Sequence, residues 1–379
     1  MSLLPGVIRR CRKFAWKAGI TGSGLGRSVR AVERVLKEAG DPLFTSSGVP
    51  GLSVVVHFAH GITLRRDWGV MDLDSRRPIG PATRFQALSM TKPLTAMCML
   101  ALVDRGLVDM DQPVLEIDPT LPIEPADPAN AELNPRQITI RRVLCHSACL
   151  SVPRHPWTNP ADFRLGCTTL GSREDHLKLR VLEPPGSNIL YSGGGYVLLQ
   201  ALIEKISGKR LDAAARELVL QPLSLEDAGL ELGPDELANL ATRHDDENRP
   251  LPPGRTIAPG SSGLTTTAES LARLWAMVLG DAKHAPGRGV ILKELAGEMV
   301  RPQCRAPDGR MTGLGFFLWQ KRSDTEFFHS GYSDGWWGHA EGLLQRRVTY
   351  SLLSNGQRGV MCIKPLTTQI RQCLYDTVL

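Results

Sequence analysis

Residues 84 to 106 read RFQALSMTKPLTAMCMLALVDRG. After a mixed beginning the run turns almost continuously apolar, which predicts a helix whose body lies in the core while its first turn faces a cleft. Ser89 and Lys92 stand at that first turn. Positions i and i+3 of a helix share a face, so the hydroxyl and the amine can meet. A serine hydroxyl is a poor nucleophile until a base takes its proton, and a lysine desolvated in a cleft can have its pKa lowered enough to serve. No other serine in the chain is followed by lysine at the third position. The plainer alternative is a capping serine followed by a surface lysine.

A second stretch, HSGYSDGWWG at 329 to 338, competes for the role of nucleophile. From Gly331 it reads G-x-S-x-G, with Ser333 at the centre of an elbow; from His329 it reads H-x-G, a strand edge lining a site whose nucleophile lies elsewhere. An elbow serine needs a strand-to-helix turn, followed along the chain by an acid and a histidine. Beyond Ser333 come Trp336, Trp337 and strand-like residues, and the only later histidine is His339. The pattern makes Ser333 a turn residue among glycines.

The bulk properties are compatible with an enzyme of this kind. At 379 residues the chain is long enough for one large domain or two ordinary ones, and 42% hydrophobic with 22% charged residues is a globular balance. No stretch approaches the roughly eighteen apolar residues of a membrane span. The N-terminal MSLLPGVIRRCRKFAWKAGI is interrupted by Pro5, Arg9, Arg10, Arg12 and Lys13, so it does not read as a signal peptide, and the expected location is cytoplasmic. The eight cysteines lack repeated spacing and are expected to be reduced. A net charge of +6 is mild, and its main cluster, residues 9 to 17, reads as a solvated arm. Nothing patterns basic with aromatic residues as nucleic-acid binding would require.

Along the chain, a Gly-rich linker, GITGSGLG (19 to 26), precedes a helix in RSVRAVERVLKEAG with Val29, Val32 and Val35/Leu36 on one face. GLSVVVHFAHGITLRRDWGV reads as two strands joined at His60-Gly61, and GLGFFLWQ, EFFHSG, GHAEGLL and RRVTYSLLSN as further strands, before a helical KPLTTQIRQCLYDTVL. Strands at both ends around a helical, Pro-rich middle imply an α+β fold: one antiparallel sheet built from both chain ends and flanked by helices, with a mostly helical domain. The expected division is a basic extension (1 to 26), a discontinuous α/β domain (27 to 84 and 256 to 379) and a helical domain (85 to 255), with the active site at their interface. Cys145, His146 and Cys149 could begin a metal site, but no second ligand pair follows, and they read as packing beside a loop.

At the level of motifs the sequence resembles the serine β-lactamase, penicillin-binding-protein and family VIII carboxylesterase superfamily. SMTKPLTA looks like its nucleophile helix, HSACL (146 to 150) like its HTSGL loop with Ala148 and Cys149 in place of Ser-Gly, and PPGSNILYSGGGYVLLQALIEKISGKRL like the segment of its Tyr-x-Asn motif. PGSSGLTTTAESLARL resembles a later Gly-rich loop and helix, and the order holds from about residue 27 to the C-terminus. The resemblance implies a β-lactamase/transpeptidase-like fold, with Ser89 as nucleophile, Lys92 as general base and Tyr191 as general base or proton relay. It places His329, Ser330 and Gly331 on the wall strand, and an oxyanion hole at the N–H of Ser89 and one near Tyr332. No metal or cofactor is implied.

Two departures bear on substrate. Gly193 stands where the family has the Asn of Tyr-x-Asn, and His329 where many members have the Lys of Lys-Thr-Gly. Both weaken a β-lactam or peptide reading, since a permanent cation for a carboxylate is gone. The expectation is acyl transfer from a small-molecule ester to water. The alternatives are transfer to an amine or alcohol acceptor, β-lactamase or D-amino-acid peptidase activity, and a silent sensor or scaffold. Tyr332, Trp336 and Trp337 are expected to shield the acyl-enzyme, stack on a flat acceptor, or simply pack.

Overall fold

The computed structural model describes residues 7–10, 24–58, 61–153, 157–158, 178–280, 290–291, 293–321 and 324–377. Most of the basic cluster (11–17), the first part of the Gly-rich linker (19–23), His60, Cys11 and Cys167 lie outside the described residues.

The central sheet has nine antiparallel strands: β1 (Val7–Arg10), β2 (Gly51–Phe58), β3 (Ile62–Gly69), β4 (Cys304–Arg305), β5 (Met311–Thr312), β6 (Phe317–Lys321), β7 (Asp324–Ser333), β8 (Trp336–Leu343) and β9 (Val348–Ser354). They lie in the order β1-β3-β2-β9-β8-β7-β6-β5-β4. The two ends of the chain therefore meet at the β2–β9 pair, where Val348 faces Phe58 and Ser354 faces Leu52. The α+β architecture expected from the sequence is the one found. Two details differ. Val7–Arg10, of which Arg9 and Arg10 fall in the expected solvated arm, adds an edge strand against β3. Gly24–Gly26, read as linker, belong to the first helix, because their backbone continues a turn that the apolar face behind them anchors.

The relevant helices are α1 (Gly24–Glu38), α2 (Gly40–Ser47), α3 (Lys92–Asp104), α4 (Gly193–Ser207), α5 (Ala268–Ala276) and α6 (Val360–Asp376). Strand side chains alternate between faces, and β2 shows the consequence. Leu52, Val54, Val56 and Phe58 join Val32 and Leu36 of α1, Phe44 of α2 and Ile363, Leu366 and Ile370 of α6 in one buried cluster. Val55 points the other way, into a larger cluster that contains α3, Leu198 and Leu202 of α4, and Leu271 and Trp275 of α5. On β9, the hydroxyls of Thr349 and Ser351 donate to carbonyls of α5, at Ala272 (2.8 Å) and Ala268 (2.6 Å).

Helix α3 is buried along Lys92–Leu102, as a helix that is apolar all round must be. It runs through the middle of the larger cluster, so its first turn is held by packing on every side. Among the described residues, no helix is long and apolar enough to cross a membrane.

Gly342 of β8 lies opposite Phe327 of β7, and a Cβ at that position would enter the Phe327 ring. Gly342→Ala is therefore expected to lower stability by about 1–3 kcal/mol, measured by denaturant unfolding. An unchanged midpoint would mean the sheet yields there more easily than its packing implies.

Candidate active site

The nucleophile candidate does not sit on the α-helix itself. Leu88–Thr91 form a 3₁₀ turn that leads straight into α3. Leu88 has φ of 53°, a left-handed conformation that is costly for a leucine and is retained only where the surroundings impose it. Here they do. The Ala87 N–H donates to Leu264 O (2.8 Å), Thr91 Oγ1 donates to Leu88 O (2.6 Å), and the Leu264 N–H donates to Thr91 Oγ1 (2.9 Å). On the other side, Gly331 of β7 abuts the turn so closely that an added Cβ would meet Ala87 O at 2.6 Å and the Ser89 nitrogen at 3.2 Å. Only a glycine lets the wall strand come this near.

Two groups converge on the Ser89 hydroxyl. Lys92 Nζ lies 3.2 Å from Ser89 Oγ, and the Tyr191 hydroxyl donates to the same oxygen at 2.8 Å. Lys92 is buried. Its other hydrogen-bond partners are the carbonyl and the hydroxyl of Ser261, each at 3.0 Å. None of these partners is an acid, so burial alone acts on the amine and lowers its pKa from 10.5 to about 7. Nζ also lies 4.8 Å from the ring centre of Tyr191 and 5.5 Å from that of Tyr196. These faces accommodate a partial charge without a counter-ion.

Tyr191 precedes α4, whose N-cap Ser192 accepts from the Gly195 N–H. His146, from the HSACL loop, packs against Tyr191 (ring centres 4.6 Å) and Tyr196 (5.2 Å), and its Nδ1 accepts from the Ser192 N–H at 3.2 Å. Burial, then the nearby Lys92 and His329, push the His146 pKa well below its ordinary value. It is a neutral spacer that fixes the tyrosine. Cys145 Sγ and Ser147 Oγ lie 3.1 Å apart, and the Cys149 thiol donates to loop carbonyls, so both pack within this loop. The six described cysteines are free.

The wall strand divides its residues by parity. His329 and Gly331 face the nucleophile turn, and the His329 ring stands 5.9 Å from Tyr191 and 5.4 Å from Phe317. Ser330, Tyr332 and Trp337 face the opposite side of the sheet. Ser330 Oγ is 2.8 Å from His339 Nδ1, whose Nε2 lies 3.1 Å from Glu341, itself clamped by Arg371. Tyr332 stacks on Trp337 at 6.0 Å. The grouping of Trp336 with Trp337 and Tyr332 as one aromatic shield is thus corrected, because adjacent strand residues cannot face the same way. Trp336 alone packs on the nucleophile's side, edge-on to Phe85 at 6.2 Å. With Gln86, Leu232, Leu251, Pro259 and Thr265 it lines a mainly apolar cavity of about 610 Å³.

Tyr332 contributes differently, through its backbone. Ser333 and Trp336 close a hairpin over Asp334-Gly335, with Gly335 at φ 79°. Bonded and non-bonded pairs alternate from that closing pair, so the Tyr332 N–H turns away from β8. On that side β6 ends opposite Phe328, leaving the strand edge uncovered by sheet from His329 onward. Ser333 ends β7 and leads into a turn without a helix. Gly193 is the first residue of α4, directly after Ser192, and offers no side chain to the cleft. Ser261 was visible in the sequence only as part of a Gly-rich loop. Nothing in its spacing announced that both its oxygens hold Lys92.

A family model described as Beta-lactamase matches residues 30–372. Over 209 residues the chain is 31% identical to Esterase EstB of Burkholderia gladioli, covering 52% of each protein, so it spans about half the length of that relative. It is 26% identical over 347 residues to Penicillin-binding protein 4 of Amycolatopsis lactamdurans, covering 84% of each. A solved class C beta-lactamase superposes with a TM-score of 0.74 at 15% identity, over 90% of this chain and 96% of that one.

Because the Lys92 pKa falls from 10.5 to about 7 on folding, the unfolded chain binds that proton more readily. Stability therefore rises with pH across this window, and the penalty is fully present below about 7. Lys92→Met is expected to unfold at a higher temperature relative to the parent at pH 7 than at pH 10. The difference between the two melting curves is the readout, and a difference independent of pH would contradict a desolvated amine.

Proposed function

The chain belongs to the beta-lactamase family of serine acyl-transfer enzymes, and from that premise we propose that it cleaves small neutral esters through an acyl-enzyme on Ser89. The observation that carries this reading is the position of Ser89 Oγ, 3.2 Å from the buried Lys92 amine and 2.8 Å from the Tyr191 hydroxyl. With Lys92 at about 7, the neutral amine takes the Ser89 proton as Oγ attacks the ester carbonyl. The negative charge that develops on the carbonyl oxygen meets the backbone N–H groups of Ser89 and Tyr332. Donors of this kind stabilise such an oxyanion by roughly 3–4 kcal/mol each.

Tyr191 then gives its proton to the leaving alkoxide, and the proton held by Lys92 restores it. In deacylation water gives a proton to the Tyr191–Lys92 pair as its oxygen attacks the acyl carbon, and Ser89 Oγ then leaves, takes that proton back and frees the acid. Transfer to an alcohol or amine needs no further residue, only an acceptor that reaches the acyl-enzyme before water. The cavity beside Trp336 is lined by none of Ser89, Lys92, Tyr191 or His329, so the neutral-ester reading rests on the wall strand instead. A carboxylate-bearing β-lactam finds no cation at position 329, since burial and Lys92 hold the His329 pKa at about 3.

Incubation with short-chain aryl esters or a fluorophosphonate, followed by mass spectrometry, is expected to map the adduct to Ser89, with Ser89→Ala unlabelled and Ser333→Ala still labelled. A folded Ser333→Ala protein that cannot be labelled would overturn the assignment. Lys92→Ala and Tyr191→Phe are each expected to slow acylation about a hundredfold or more, and non-additively, since they share one proton path. Penicillins and cephalosporins are expected to turn over poorly beside activated esters. Efficient cephalosporin hydrolysis with Ser89 acylated would return the lactamase reading to first place.

A further inference from the structure

His329 is buried, and both of its ring nitrogens can be assigned. Nδ1 lies 2.7 Å from the Ser330 carbonyl oxygen. A carbonyl only accepts, so Nδ1 carries the hydrogen and donates it, and in the neutral ring Nε2 is then left with a lone pair. That nitrogen has no hydrogen-bond partner among the described residues. A buried acceptor left unmatched costs roughly 1–3 kcal/mol, so its retention beside a reactive centre points to a ligand that fills it.

Its surroundings define what that ligand can be. The ring lies on the same face of β7 as Gly331, where an added Cβ would stand 3.2 Å from the Ser89 nitrogen. It is 5.9 Å from Tyr191, which reaches Ser89 Oγ, and Phe317 covers another side at 5.4 Å. Protonating the ring would put a second cation beside Lys92 in a dry site, and the low pKa of His329 agrees with that geometry. Resting on the acyl-enzyme reading above, we propose that His329 Nε2 is a specificity point that receives a neutral hydrogen-bond donor of the substrate, a hydroxyl or amide N–H. A carboxylate at the same place would set lone pair against lone pair, and an ether would leave the nitrogen unmatched.

Two matched ester series test this. In the first, butanoate esters carry a 2-hydroxyethyl, 2-methoxyethyl or carboxymethyl alcohol part. In the second, p-nitrophenyl esters carry a 3-hydroxybutanoyl or 3-methoxybutanoyl acyl part. The expected result is a roughly tenfold higher kcat/KM for the hydroxyl member over its methyl-capped partner in at least one series, with carboxymethyl the poorest of the first. The preference should vanish in His329→Phe, survive in His329→Gln, which keeps an acceptor, and turn toward the carboxymethyl ester in His329→Lys. Ratios within each protein are compared, so a general loss of activity does not blur the outcome. Ratios below about twofold in both series, or a hydroxyl preference that persists in His329→Phe, would overturn the inference. Covalent labelling of Ser89 by p-nitrophenyl acetate in the parent separates the two readings: flat ratios with labelling intact refute only the role of His329, whereas absent labelling refutes the acyl-enzyme itself.

Discussion

A lysine amine buried without an acidic partner is the constraint around which the rest of this molecule is arranged. Lys92 opens a helix that is buried along eleven consecutive residues, so its side chain cannot reach water without dismantling the core. An ammonium there would carry a desolvation cost of several kcal/mol. The structure limits that cost by letting the amine lose its proton near pH 7 and by giving it oxygen partners rather than a counter-charge. The short helix Pro259–Ser262 supplies two of them and is itself pinned, with Thr95 donating to Gly260 O at 2.7 Å and the Gly260 N–H donating to Gln200 at 3.0 Å. Packing of α3 and α4 therefore sets the basicity of the site.

The same logic explains the strained turn. Leu88 holds a left-handed conformation because the wall strand, the Leu264 backbone and the Thr91 hydroxyl all fix its neighbours. The turn aims Ser89 at the cleft while the next three residues begin the helix. The opposite wall is a β-hairpin whose alternation places His329 and Gly331 on the reactive side and leaves Ser330 to a chain through His339 and Glu341 to Arg371 of α6. That chain ties the wall to the helical layer behind it, so the wall is a rigid surface rather than a loop.

The large features were legible in the sequence because they rest on patterns that local physics enforces. The apolar run after Lys92 could only be a buried helix, and the period-two strands at both ends could only share a sheet if the middle folded out. Ser89 and Lys92 were legible from their spacing at the start of an apolar run, and Tyr191 only through the resemblance of its segment to a family motif. What was not legible depends on long-range contact. Ser261 lies 169 positions from Lys92, and no periodicity links them. The separation of Trp336 from Trp337 and Tyr332 follows from strand alternation, but only once the Asp334-Gly335 hairpin fixes where the strand ends. The tautomer of His329 depends on one backbone carbonyl. The edge strand Val7–Arg10 escaped notice because Arg9 and Arg10 read as the start of a charged arm.

Burial makes Lys92 a base near neutral pH. That basicity is tested most directly by ¹³C NMR titration of the lysine Cε resonances, with the Lys92 signal assigned by its loss in Lys92→Arg. This resonance is expected to titrate near pH 7, well apart from the solvent-exposed lysines. A Lys92 signal that titrates with the others, around 10 and above as an unperturbed lysine does, would contradict it.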